Sequence, residues 1–250
     1  MSAPIITLLT DFGTADGYVA EVKGVLLSLA PVAQLVDCTH DVPPHDVELG
    51  RLTLARYWRR FPAGTVHVAV VDPGVGSSRA AIAVESEGRF LVGPDNGLLS
   101  PALIGKGARV VRLETSGAAS RTFHGRDVFA PAAAALATGT PLDVLGAPFE
   151  NPVIRRTPVV RARPDGAMQG EIIAVDRFGN AITNLLARPG TVEIAGRRLA
   201  VLPTYASATD GEPFAVAGSG GLLEIAVRDG RAADRLGIGR ETPVALHPVR

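Results

Sequence analysis

The chain has 250 residues, of which 46% are apolar, and this is enough for one large domain or two modest ones with a substantial core. Its 25 basic and 25 acidic residues balance, which argues against nucleic-acid or anionic-membrane partners. Cys38 is the single cysteine, which excludes an internal disulfide and a cysteine-based zinc site and fits a reducing compartment. No basic signal-peptide start is present, and no window approaches the roughly 20 apolar residues of a membrane helix. We therefore expect a cytoplasmic location.

Strand and helix patterns alternate in the first half of the chain. The predicted strands are residues 5–10, 34–38, 65–71, 80–85, 89–92 and 109–113, and the predicted helices are residues 18–30, 46–61 and 127–138. The opening strand-helix-strand-helix-strand order implies parallel pairing with right-handed crossovers, and the turn at Glu87 and Gly88 predicts a hairpin. We predict an α/β N-terminal domain with a mixed, mainly parallel sheet.

The pattern changes near residue 155, where a basic, proline-containing stretch without a helical apolar face begins. Beyond it, short strands are predicted at 169–175, 191–194, 198–202, 222–227 and 243–246, with turn residues between them. This spacing is typical of a small β-barrel or sandwich. We assign residues 1–157 to the α/β domain, 158–166 to a linker and 167–250 to a C-terminal β-barrel domain.

Three reactive residues follow predicted strands or precede a predicted helix. Asp72 ends the apolar run 68–71, Arg79 comes shortly after it, and His124 precedes the alanine-rich helix. Ligands bind at strand ends in open α/β sheets, so these residues are a candidate site. Taken one at a time, an Asp such as Asp72 in this kind of turn is more often a turn former, and a lone histidine such as His124 is more often structural, while Arg79 could be a surface charge.

A second group of residues suits a nucleoside. Asp11 ends the first strand, where a carboxylate can accept hydrogen bonds from a ribose diol, although a helix cap is an equal alternative. Phe178 could stack on a base and Asn180 could bind its edge, although residues 176–180 also fit a polar turn. The loop 217–221 offers backbone amides and a hydroxyl that could hold an anion such as a carboxylate.

The order of these motifs along nearly the whole chain resembles one family. The motifs are residues 9–13 (LTDFG), 41–46 with two prolines, 71–76 (VDPGVG) with Arg79, 93–97 (GPDNG) and 178–180 (FGN) with Thr183 and Asn184. The chain resembles the S-adenosylmethionine hydroxide adenosyltransferases, in the superfamily that also holds the fluorinase and chlorinase. The resemblance implies an N-terminal α/β domain, a C-terminal β-barrel, and a homotrimer whose substrate sites lie between neighbouring subunits.

The resemblance also implies residue roles. Water-using members carry an Asp, Arg, His triad that matches Asp72, Arg79 and His124, whereas the halogenases lack it. For the nucleoside, the resemblance implies that Asp11 holds the ribose hydroxyls, that Asn180 binds the adenine edge, and that Phe178 and Tyr205 contact the adenine faces. For the methionine part, it implies that Asp176 binds the ammonium and Ser219 the carboxylate. Glu224 and Val227 match a strand that lines the nucleoside. One departure is His45, which stands where the fluorinase has an aromatic residue.

The expected reaction is hydrolysis of S-adenosyl-L-methionine to adenosine and L-methionine by water attack on C5′. The sulfonium leaves as a neutral thioether, so the difficulty lies in activating water, whose pKa is near 15.7. Arg79 can supply positive charge, and either Asp72 or His124 can take the proton. No metal or other cofactor is expected. The alternatives are a halide-dependent adenosyltransferase and a non-catalytic sensor of nucleoside or S-adenosylmethionine.

Overall fold

The computed structural model describes residues 3–105, 107–115, 117 and 119–249. The chain divides into two compact units, Met1–Arg155 and Arg156–Arg250. None of the helices in the described ranges combines the length and apolarity needed to cross a lipid bilayer.

Within the described residues, unit 1 forms one seven-stranded sheet with helices on both faces. Its strands are β1 (Ile5–Thr10), β2 (Gln34–Thr39), β3 (Val66–Val70), β4 (Ala81–Ser86), β5 (Arg89–Pro94), β6 (Arg109–Leu113) and β7 (Gly146–Pro148). Its helices are α1 (Tyr18–Leu29), α2 (Val47–Tyr57), α3 (Ser100–Leu103) and α4 (Ala130–Ala137), with a π-helical turn at Gly125–Phe129 and 3-10 turns at Trp58–Arg60 and Leu142–Val144.

The sheet order is β2-β1-β3-β5-β4-β6-β7. The strands β2, β1, β3 and β5 run parallel, while β4, β6 and β7 add antiparallel pairings, so the predicted mixed sheet is confirmed. Side chains of α1 and α4 pack on one face, including Leu26 and Ala133. Leu54 and Trp58 pack on the other face. Burial on both faces explains why β3 is apolar at every position except His67.

Unit 2 is a closed barrel, which confirms the predicted β-barrel domain. Its strands are β8 (Arg161–Ala162), β9 (Met168–Val175), β10 (Ala181–Leu186), β11 (Gly190–Ile194), β12 (Arg197–Leu202), β13 (Pro213–Ala217), β14 (Leu222–Val227) and β15 (Pro243–Pro248), with helix α5 at Ala232–Leu236 and a 3-10 turn at Tyr205–Ser207. The order β10-β14-β13-β12-β11-β15-β9 closes through the pairing of β10 with β9, and β8 extends this sheet beside β9.

Three details of the barrel differ from the sequence pattern. The strand β8 lies inside residues 158–166, where a linker is predicted. The strands β10 and β13 are absent from the prediction. Thr183 and Asn184 interrupt the apolar pattern of β10, and both are buried because their side chains bond to main-chain groups of neighbouring segments.

Candidate active site

A guanidinium joins the other two members of the predicted triad. Arg79 donates from Nε to Asp72 Oδ1 at 3.0 Å and from Nη2 to Asp72 Oδ2, so the carboxylate is held by a two-pronged contact. The same Nη2 lies 2.8 Å from His124 Nδ1. Only 10% of the Arg79 side chain and 6% of the Asp72 side chain are exposed. The structure therefore brings Asp72 and Arg79, which are largely buried, together with the partly buried His124 in one charge-assisted cluster.

The contact with Arg79 fixes the tautomer of His124. A guanidinium only donates hydrogen bonds, so Nδ1 of His124 must accept, and the neutral ring then carries its proton on Nε2. Burial and then the nearby charge of Arg79 lower the pKa of His124 below its usual value, against the opposing effect of Asp72 and Asp127. His124 is therefore neutral at pH 7, with Nε2–H as its remaining polar group.

A cavity of about 260 Å³ lies beside this cluster within unit 1. Its lining residues are Asp11, Phe12, Tyr18, Pro44, His45, Val70, Asp72, Val75, Thr122, Phe123, His124 and Gly125. Asp72 and His124 line the cavity, whereas Arg79 lies behind them and contacts both. The guanidinium is thus placed to orient the two residues that face the cavity.

The strand register explains why two distant carboxylates share this cavity. Thr10 of β1 pairs with Val70 of β3 in a parallel register, so Asp11 and Asp72 both follow the carboxyl ends of neighbouring strands. Carboxyl ends of parallel strands meet at one edge of the sheet, which is the usual ligand edge of an α/β fold. Asn96 supports this edge because its Nδ2 donates to the Val71 carbonyl at 2.8 Å.

A glycine allows the His124 segment to approach the turn after Asp72. Gly76 has φ +77°, and a Cβ atom there would lie 2.5 Å from the Arg121 carbonyl oxygen. Only a residue without a side chain fits both the left-handed backbone and this separation. His124 then leads directly into the π-helical turn Gly125–Phe129, and such turns are frequent at functional sites.

Asp11 does not cap the helix that follows it, because the N-cap residue of α1 is Gly17. Oδ2 of Asp11 accepts a hydrogen bond from the backbone N–H of His45 at 2.9 Å, whereas α2 is capped by Asp46, whose Oδ1 accepts from Leu49 N. His45 has φ +68°, is exposed, and lines the cavity beside Asp11. The position at which the sequence departs from the fluorinase pattern therefore borders the predicted ribose side of the site.

Unit 2 holds a separate polar cluster at one end of β10 and β14. Both carboxylate oxygens of Asp176 accept from Asn180, from its N–H at 2.8 Å and from its Nδ2 at 3.0 Å. Nδ2 of Asn180 also lies 3.3 Å from the Tyr205 hydroxyl, which donates to Glu224 Oε2 at 3.1 Å. Burial and the Glu224 carboxylate raise the pKa of Tyr205 to about 12. The cluster therefore holds the Asn180 amide in a fixed orientation.

The remaining predicted residues differ in their exposure. Phe178 is 74% exposed at the turn that Asp176 and Asn180 form, and Ser219 is exposed in the turn between β13 and β14. Val227 is 5% exposed and packs in the barrel core, on the face of β14 opposite to Glu224. A contact of Val227 with a ligand would therefore involve its main chain.

The aromatic wall of the cavity in unit 1 is not among the residues predicted from the sequence. Phe12, Tyr18 and Phe123 contact one another edge to face, with ring centroids 5.3 to 6.2 Å apart. All three line the cavity. Phe12 adjoins Asp11 and Phe123 adjoins His124 in the sequence, so these two aromatic residues could have been predicted at the site from their position next to motif residues.

Two matches to known sequences cover most of the chain. Residues 6–146 match the SAM hydroxide adenosyltransferase N-terminal domain and residues 170–245 match the C-terminal domain of the same family. The chain belongs to this family. An (R)-S-adenosyl-L-methionine hydrolase of Salinispora arenicola is 45% identical to it over 95% of each chain.

Two further relatives are similar over nearly their whole length. An (R)-S-adenosyl-L-methionine hydrolase of Thermus thermophilus is 43% identical over 96% of this chain and 98% of its own. Among solved structures, an uncharacterized conserved protein from Thermotoga maritima superposes with a TM-score of 0.88 and 31% identity, covering 96% of this chain and 99% of that chain. The family assignment therefore rests on both units.

Proposed function

We propose that this member of the family is a hydrolase that converts S-adenosyl-L-methionine and water to adenosine and L-methionine. The observation that carries the proposal is the contact of one guanidinium with both Asp72 and His124 beside the cavity. The relatives' names supply the substrate and carry the prefix (R), which we take as the configuration at sulfur. We extend the proposal to that epimer.

The reaction is a displacement at carbon. The water oxygen forms a bond to C5′, the C5′–S bond breaks, and its electron pair goes to sulfur, which leaves as the neutral thioether of methionine. The leaving group needs no proton, so catalysis has to act on the water. We propose that the Asp72 carboxylate takes the proton that the water loses as its oxygen bonds to C5′, and that Nε2–H of His124 orients this oxygen. Arg79 fixes both groups and stabilises the hydroxide character that develops.

The cavity is too small for the whole substrate. Sites for drug-sized ligands measure roughly 300–1,000 Å³, and the cavity of unit 1 measures about 260 Å³. We propose that it holds the ribose and C5′, with Asp11 binding the ribose hydroxyls. Residues of unit 2 then bind the other groups. Asn180 binds the adenine edge, and Phe178 and Tyr205 contact the adenine faces, while Glu224 and the main chain of Val227 line the nucleoside. Asp176 binds the methionine ammonium and Ser219 the methionine carboxylate.

The roles of Asp11 and Asn180 imply a test of assembly. We propose a homotrimer in which the cavity of one subunit and the polar cluster of its neighbour complete each site. Asp72→Ala and Asn180→Ala would each inactivate the protein alone. After the two variants are unfolded and refolded together, some interfaces would carry both intact residues and activity would return. If the mixture stays inactive while light scattering reports trimers, the site does not lie between subunits.

The deciding experiment for the reaction uses oxygen-18 water in chloride-free buffer. The purified protein is incubated with each sulfur epimer of S-adenosyl-L-methionine, and the nucleoside is identified by mass spectrometry. We expect adenosine with the heavy oxygen at its 5′ position, formed faster from the (R) epimer. Arg79→Ala should lose most turnover, and Arg51→Ala serves as its control because Arg51 is a similarly buried arginine, 4% exposed, that pairs with Glu48 outside the cavity.

Other outcomes would favour the alternatives. A chlorinated nucleoside that forms only after chloride is added would indicate a halide-dependent adenosyltransferase. Tight binding of substrate without product would indicate a sensor. We also propose that no cofactor takes part, because a neutral thioether leaves without help from a Lewis acid, and the rate should survive dialysis against EDTA. A cytoplasmic location is proposed from the single cysteine and is tested by cell fractionation.

A further inference from the structure

A histidine outside the cavity contacts the turn that carries Asp11. His40 follows β2, which is the parallel neighbour of β1, so it lies at the same edge of the sheet as Asp11 and Asp72. Only 6% of this histidine is exposed. Nδ1 of His40 lies 2.9 Å from the hydroxyl of Thr10, the residue immediately before Asp11.

The contacts of His40 reach both residues that follow Asp11. The Thr10 hydroxyl, which His40 contacts, also accepts from the N–H of Phe12 at 3.3 Å. The carbonyl oxygen of His40 accepts directly from the N–H of Gly13 at 2.8 Å. Both amides belong to the turn that carries the Asp11 carboxylate, so His40 constrains the main chain next to it.

A carboxylate and a lysine hold the other side of the ring. Nε2 of His40 lies 3.1 Å from Asp37 Oδ1, and Lys23 donates to Asp37 Oδ2 at 2.6 Å. This contact is electrostatic, because the Nε2–H of His40 is not aligned with Asp37 for a hydrogen bond. Burial alone would raise the pKa of Asp37, but its contacts with Lys23 and His40 outweigh this and lower it. A chain of polar groups thus runs from α1 through β2 to the Asp11 turn.

We propose that His40, acting through Thr10, is a positioning residue that sets the Asp11 carboxylate for the ribose diol. The inference rests on the proposed function only in that Asp11 binds the ribose. It assigns to the histidine no contact with substrate. The expected consequence of breaking the chain of polar groups is weaker recognition of the 2′-hydroxyl, while the chemistry at C5′ changes little.

The fold offers a matched control for this test. Thr7, three residues earlier on β1, contacts a second buried histidine: its Oγ1 lies 2.7 Å from Nδ1 of His67 on β3. Thr7 and His67 are both 0% exposed. In the part of the chain that the structure describes, neither lines the cavity or bonds to the Asp11 turn. A variant of this pair loses the same kind of buried hydrogen bond at a distance from the site.

The experiment compares binding of adenosine and 2′-deoxyadenosine by calorimetry, which needs no turnover. Thr10→Val and His40→Gln should reduce the preference for adenosine by roughly tenfold, the effect of one hydrogen bond to a charged group. A glutamine amide nitrogen reaches the position of the histidine Nε2, so His40→Gln keeps the contact with Asp37 and removes the link to Thr10. Thr10→Ser should restore the preference, and Thr7→Val and His67→Gln should retain it.

The results separate this inference from the proposed function. In turnover of S-adenosyl-L-methionine, Thr10→Val should raise KM by roughly tenfold and leave kcat within about twofold, since the triad is intact. Absence of turnover in the wild type with a normal ribose preference would overturn the hydrolase and not the role of His40. An unchanged preference in Thr10→Val and His40→Gln, or an equal loss in the Thr7→Val control, would overturn the role of His40.

Discussion

The Arg79–Asp72 pair should show strong energetic coupling. The two side chains are 10% and 6% exposed, and two hydrogen bonds join them. Removing one partner of such a pair leaves a buried charge without compensation, which costs about 3–5 kcal/mol. Arg79→Ala and Asp72→Ala should each lower the free energy of unfolding by about that amount. The double variant leaves neither charge and should cost about as much as one single variant, so the coupling should also be about 3–5 kcal/mol.

Urea unfolding at pH 7 and fixed protein concentration measures this coupling, with the fluorescence of the single tryptophan, Trp58, as the signal. The exposed pair Arg109 and Asp143, with side chains 53% and 66% exposed, is the control and should give less than about 1 kcal/mol. Additive effects at Arg79 and Asp72, with a coupling below about 0.5 kcal/mol, would refute the reasoning. Arg79→Lys should remain inactive, because an ammonium lacks the planar fork that reaches Asp72 and His124 together.

Local geometry supports three other predictions. Burial, and then the charge of Arg89, lowers the pKa of His67 to about 4 in the folded protein. The unfolded chain takes up this proton near pH 6.5, so the free energy of unfolding should fall by about 3 kcal/mol between pH 7 and 4. In urea titrations, His67→Gln should remove this part of the fall. Gly76→Ala should cost at least about 1–2 kcal/mol and most activity, because its Cβ would lie 2.5 Å from the Arg121 carbonyl oxygen; unfolding and turnover measure both. Because the pKa of His124 is lowered, kcat/KM should stay constant as the pH falls through about 6.5, the ordinary histidine value. It should drop only at lower pH, when protonation of Nδ1 removes the acceptor for Arg79. A pH profile of kcat/KM that breaks at about 6.5 or above would contradict this.

The architecture of unit 1 was predictable because its local patterns agree with its tertiary environment. Residues 68–71 form a continuous apolar run, as a strand buried on both faces requires. In unit 2 the patterns conflict with the environment. Thr183 is polar yet 0% exposed, since its hydroxyl donates to the Leu223 carbonyl, and a pattern of hydrophobicity does not reveal such a bond.

The proximity of the three triad residues was predictable, whereas their arrangement was not. Motif order indicated Asp72, Arg79 and His124 together, but the position of Arg79 behind the two cavity-lining residues depends on side-chain geometry across the turn. Val227 was expected along the nucleoside together with Glu224, but residues three apart on the predicted strand 222–227 point to opposite faces, so alternation alone could have separated the two.

The charges of the triad give a physical reason for water rather than halide as the nucleophile. Asp72 contributes one negative charge and Arg79 one positive charge, and the lowered pKa of His124 keeps its ring neutral at pH 7. The cluster is therefore neutral as a whole, and the carboxylates that line the cavity are those of Asp72 and Asp11, with the guanidinium of Arg79 behind Asp72. A halide ion entering the cavity would give up its hydration and meet a negative charge first. Water would lose little by comparison, because in the proposed arrangement it donates to the carboxylate and accepts from Nε2–H of the histidine. The arrangement that we propose for activating water therefore disfavours an anion.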